Sequence, residues 1–93
     1  MAQISWTRKS LKDLKTINDY ISLDSTFYAN RFIGNLITRV EQLIDFPESG
    51  RIVPEKNMTE IRELIEGNYR IFYRLQKGKI TILRIHNSAR KIK

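Results

Sequence analysis

A chain of 93 residues with a net charge of +7, 41% hydrophobic residues and no cysteine has room for one domain with one modest core. The missing cysteines exclude disulfides, thiolate zinc sites and a cysteine nucleophile, and the single histidine, His86, excludes a multi-histidine metal site. No apolar run reaches the ~18 residues of a spanning helix, and the opening MAQISW lacks the basic-then-apolar order of a secretory signal. The expectation is therefore a cytoplasmic protein with no membrane partner, no metal and no cofactor.

The charge is unevenly spread. Met1 to Phe46 has six basic residues against five acidic, and Pro47 to Lys93 has eleven against five. From Tyr69 to Lys93 there are eight basic side chains and no acid. Such a concentration attracts polyanions, either nucleic acid or an acidic protein segment.

Ile4–Trp6 reads as a short strand, and Thr7 as the N-cap of a helix. Leu11, Leu14, Ile17 and Ile21 recur at helical spacing, so the first helix is amphipathic over about four turns. A second helix starts at Asp24 or Ser25, with Phe32, Leu36, Val40 and Leu43 on its apolar face. Gly34 lies inside it, which suggests close packing at that point. Pro47 ends the helical region. The short gap between the helices favours an antiparallel hairpin.

Pro47–Asn57 has two prolines and a glycine and reads as a connection. Three strands follow, over Glu60–Glu66, Tyr69–Leu75 and Lys79–Asn87. Gly67-Asn68 signals a two-residue turn, with glycine supplying the positive φ. Gln76-Lys77-Gly78 suits a three-residue loop, whereas a two-residue turn at Lys77-Gly78 would separate Arg70 and Arg74 from Arg84 and His86. The fold class is α+β: an N-terminal strand, an antiparallel helical hairpin, then a three-stranded antiparallel run forming one sheet.

Under a three-residue loop, Leu75 pairs with Lys79, Tyr73 with Thr81, Ile71 with Leu83 and Tyr69 with Ile85. The opposite face then carries Arg70, Phe72 and Arg74 beside Ile80, Ile82, Arg84 and His86, with Arg70 directly facing Arg84. Facing like charges are unfavourable unless an anion lies between them. The first hairpin puts Glu63 opposite Phe72, where it would neutralise part of that charge. Arg70, Arg74 and Arg84 are therefore candidate anion clamps, and His86 is a candidate acid or base. Tyr69, Phe72 and Tyr73 suit packing more than base stacking. The basic tail from Arg90 is a further candidate contact for a polyanion.

The strings Phe46-Pro47-Glu48-Ser49-Gly50-Arg51, Ile61-Arg62-Glu63-Leu64, Gly67-Asn68-Tyr69-Arg70-Ile71-Phe72-Tyr73-Arg74 and Ile82-Leu83-Arg84-Ile85-His86-Asn87-Ser88-Ala89-Arg90 resemble the RelE/ParE superfamily of bacterial type II toxins. The FP-x-x-GR link looks closer to the ParE-like, plasmid-stabilisation branch. The resemblance implies a β-α-α-β-β-β fold and a cognate acidic antitoxin that covers the active surface, with operator DNA met only through the complex. It also implies one of two activities: inhibition of DNA gyrase, or cleavage of mRNA on the ribosome. In the ribonuclease case, Arg70 and Arg84 would stabilise phosphate charge and His86 would act as acid or base. Arg74, Arg51, Arg62 and Arg90 would contact the target or another anion. The ribonuclease set is incomplete, with no tyrosine after Tyr73 and Asn87 where related endings often carry a second histidine. A non-toxic nucleic-acid-binding domain is the reading outside the family.

Overall fold

The structure is a computed structural model, described for residues 2–54 and 58–88. In chain order the elements are β1 (Gln3–Trp6), α1 (Arg8–Ser22), α2 (Thr26–Glu41), a 3-10 turn (Gln42–Ile44), β2 (Arg51–Ile52), β3 (Ile61–Glu66), β4 (Tyr69–Gln76) and β5 (Lys79–Asn87). One sheet runs in the order β1-β5-β4-β3-β2, with β1 parallel to β5 and every other pair antiparallel.

Each helix begins where its polar residues supply a cap. Thr7 accepts from the Ser10 amide at 3.1 Å, and Ser25 accepts from the Tyr28 amide at 3.0 Å. These side chains satisfy amides that have no partner within the helix. Leu36 and Val40 of α2, with Leu43 just beyond it, are fully buried, and Ile17 of α1 is nearly so. They pack on the sheet face formed by Leu64, Tyr69, Ile71, Tyr73, Ile80, Ile82 and Ile85. Burying a side chain of this size stabilises by about 1.5–3 kcal/mol. Gly34 departs from expectation: a Cβ there would meet nothing within 4 Å, so packing does not account for it.

The connection after α2 contains a strand that its prolines and glycine conceal. Arg51 and Ile52 pair with Glu63 and Arg62, adding a fifth strand at the edge. Tyr73 organises the preceding loop from the core. Its hydroxyl donates to the Pro47 carbonyl at 2.8 Å and accepts from the Gly50 amide at 3.0 Å. A Cβ on Gly50 would lie 2.5 Å from that hydroxyl and 2.8 Å from the Glu63 carbonyl. The glycine of the FP-x-x-GR link thus has a structural reason.

The β4–β5 register corrects the sequence reading. The turn holds two residues, Lys77 and Gly78, both at positive φ (52° and 76°), and Gln76 pairs with Lys79. Two consecutive positive φ values give the turn whose twist matches the flanking strands. The pairing therefore runs Leu75–Ile80 and Tyr73–Ile82, which puts Ile80 and Ile82 in the core rather than on the opposite face. An irregularity then leaves Leu83 as an extra residue, so Phe72 faces Arg84, Ile71 faces Ile85 and Arg70 faces His86. The bulge returns Arg84 and His86 to the side that carries Arg70 and Phe72.

Candidate functional site: a cationic open sheet face

The helices cover one side of the sheet. Residues that pair across strands share a face, so the other side carries Ile61, Glu63 and Ile65 of β3, Arg70, Phe72 and Arg74 of β4, and Arg84 and His86 of β5. Arg51 joins them through its pairing with Glu63. Four of the guanidiniums singled out from sequence therefore lie on one face, but Arg70 and Arg84 are not opposite each other.

Glu63 is the centre of this face. Its carboxylate is completely buried, which is costly unless the charge is paired. It is met by Arg51 and by Arg70, whose Nε lies 2.6 Å from Oε1. The Arg70 guanidinium in turn lies over the Phe72 ring, 4.8 Å from its centroid. The expectation that Glu63 neutralises part of the charge holds for Arg70 and Arg51, while Arg74 approaches Glu60 at 3.7 Å.

Arg84 is held from the other side of the sheet. Because β1 pairs with β5 only as far as Ile82, the rest of β5 has an open edge that α1 reaches. Asp13 of α1 accepts from Arg84 Nε at 2.8 Å and Nη2 at 3.2 Å, and from the Ile85 amide at 2.9 Å. Burial pushes the Asp13 carboxyl up, but the bonds from Arg84 and Ile85, with the charges of Arg84 and His86, outweigh it and hold the group below its ordinary value. The bond to Asp13 raises Arg84. Thr7 completes the arrangement: its amide donates to the Ile82 carbonyl and its hydroxyl to Leu83. The bulge at Leu83 is thus stitched to the start of α1.

His86 is exposed, and its ring stands edge-on to Phe72 at 5.6 Å and 88°. Among the described residues it makes no hydrogen bond. It shares a concavity of about 350 Å³ with Arg74 and Arg84, floored by Ile61, Leu83 and Phe72 and walled by Met58. Arg62 lies apart. It pairs with Tyr73, so it belongs to the helix side, and its Nη1 donates to the Glu48 and Gly50 carbonyls at 3.2 and 2.8 Å. Its Nε is buried without a partner among the described residues. Arg62 thus fastens the loop and adds nothing to the open face. Arg90 falls outside the described residues. Among the described residues no cluster of His, Asp or Glu is arranged for a metal ion, and no helix is long and apolar enough to cross a membrane.

Sequence reasoning missed Asp13, which reads as one of several polar residues on α1. Its role becomes visible only once α1 is placed at the β5 edge.

Comparison with known proteins agrees with this architecture. Residues 4–92 match the family described as the ParE toxin of the type II toxin–antitoxin system, parDE. The chain belongs to the ParE toxin family. The ParE-family chain is 37% identical to Toxin RelE2 of Caulobacter vibrioides over 91 residues, covering 97% of this chain and 99% of that one. It also superimposes on a chain from the chromosomal ParDE system of P. aeruginosa, with a TM-score of 0.77, 27% identity, and coverage of 94% and 96%. Membership of this family brings a cognate antitoxin as partner.

Proposed function

We propose that this ParE-family toxin acts in the cytoplasm as an inhibitory binding module on DNA gyrase and that it does not cut RNA. The observation that carries this reading is the state of its charged groups. Arg70 and Arg51 are bonded to buried Glu63, and Arg84 to Asp13. Among the described residues, His86 has no hydrogen-bonding partner to orient it as an acid or base. Cleavage by a 2′-hydroxyl needs a positioned proton donor together with cations directed at the developing phosphorane charge. Cations already paired with carboxylates on an open, shallow face suit recognition of another surface better.

The FP-x-x-GR link supports the ParE-like branch less than its sequence suggests, because its Gly50 is required by the close contact with Tyr73. The ribosome-dependent ribonuclease remains the second reading, favoured by the shared concavity of His86 and Arg84. Purified toxin added to a gyrase supercoiling reaction tests the proposal. Loss of supercoiling at micromolar toxin is expected. Unchanged supercoiling would end the gyrase reading.

A further inference from the structure

The concavity on the open face has an unusual lining for a basic surface. Its floor is aliphatic at Ile61 and Leu83, with half-exposed Met58 as a wall. Phe72 is the aromatic residue in it, but the Arg70 guanidinium already covers its ring and His86 takes a T-shaped contact with it. A nucleobase stacks on an open aromatic ring, and on Phe72 that position is occupied.

The rim is cationic and differently constrained at its two sides. Arg84 is held by Asp13 through two donors, leaving the other three of a guanidinium available, and its side chain is 44% exposed. Arg74 is equally exposed, and at 3.7 Å from Glu60 its ion pair is beyond hydrogen-bonding distance. One rim cation is thus fixed and the other is free to adjust. An apolar floor between two such groups complements an apolar side chain with carboxylates on either side, whereas phosphates alone would leave the floor unfilled.

We infer that this concavity seats a branched aliphatic side chain from an acidic segment of the toxin's protein target, with flanking carboxylates meeting Arg74 and Arg84. The inference rests on the binding-module reading, and it supplies the chemistry by which the open face recognises its target.

The test is a titration of isotope-labelled full-length toxin, followed by amide chemical shifts, with two synthetic peptides and one oligonucleotide. The first peptide has glutamates around a central leucine, the second replaces the leucine with serine, and the oligonucleotide is a single-stranded RNA of equal charge. The leucine peptide should bind several-fold more tightly than the serine peptide. Its shifts should centre on Met58, Ile61, Leu83 and His86, and Arg74→Gln should weaken it several-fold. Met58→Ala, at an exposed position, should narrow the preference for leucine.

Equal binding of the two peptides would overturn the inference, as would tighter binding of the RNA at these residues. So would shifts centred on the separate hollow of about 540 Å³ lined by Tyr20, Tyr28 and Phe32. A photo-crosslinking residue at position 58 then addresses the source: with gyrase present, the adduct should map to an acidic peptide of a gyrase subunit. Gyrase inhibition without leucine-peptide binding defeats this inference alone. Leucine-peptide binding without gyrase inhibition defeats the gyrase reading alone.

Discussion

Asp13 and Arg84 are separated by 71 positions in sequence and joined by two hydrogen bonds, at 2.8 and 3.2 Å. The same carboxylate accepts from the Ile85 amide, so one side chain of α1 holds both the cation and the backbone of the bulged strand. Asp13→Asn should lower stability by about 1–2 kcal/mol at neutral pH, a figure discounted for the partial exposure of Arg84. The sign with pH follows from the lowered carboxyl. The native bonds contribute fully above the ordinary value of 3.8 and are lost as pH falls through the lowered one. Urea unfolding at a series of pH values should therefore show wild type and variant far apart at pH 7 and converging in acid.

Tyr73 and Gly50 form the second point of dependence. Tyr73→Phe removes the donor to Pro47 and the acceptor for Gly50, which should cost about 1–3 kcal/mol. Gly50→Ala forces a methyl against both the phenol and the Glu63 carbonyl and should also cost about 1–3 kcal/mol. Denaturant midpoints would measure both. A neutral Gly50→Ala would mean that the loop does not lie on Tyr73.

Gly34 predicts a change of opposite sign. It lies in the interior of α2 with open space where a side chain would go. Gly34→Ala should stabilise the chain by about 0.5–1 kcal/mol by removing backbone entropy from the unfolded state. A rise in thermal midpoint is the expected readout.

Glu63→Gln tests the buried centre of the open face. The amide retains an acceptor for one guanidinium and loses the charge that both Arg51 and Arg70 meet. A stability loss of about 1.5–3 kcal/mol is expected, in the range of hydrogen bonds to charged groups. Binding of an acidic peptide should become more salt-dependent, because two further cations are no longer neutralised internally.

His86 separates the two toxic activities. As part of a binding surface, His86→Ala should leave growth arrest within a few-fold of wild type. A proton donor in RNA cleavage would lose about 10²–10⁴ in rate. Growth under a titratable promoter distinguishes these outcomes.

Much of the fold can be read locally. Thr7 and Ser25 cap their helices as expected, Gly67 takes the positive φ of its turn, and Glu63 faces Phe72. These features depend on neighbours in sequence. The failures depend on distant ones. The Arg51–Ile52 strand exists because β3 offers an edge. The Leu83 bulge leaves no local mark, since Lys79–Asn87 reads as an uninterrupted strand. The shorter turn and the extra residue have opposite effects on which side Arg84 and His86 occupy, so the shared face survived an incorrect register. What did not survive is the idea of Arg70 and Arg84 directly facing one another: Arg84 finds its carboxylate partner on α1, and Arg70 finds its own in Glu63 on the same open face of β3.

The central claim is that this open face inhibits by binding a protein target without cleaving RNA. The most direct measurement adds purified toxin in parallel to a gyrase supercoiling reaction and to ribosomes programmed with mRNA. Lost supercoiling with intact mRNA is the predicted result. Cleaved mRNA with supercoiling untouched would contradict it.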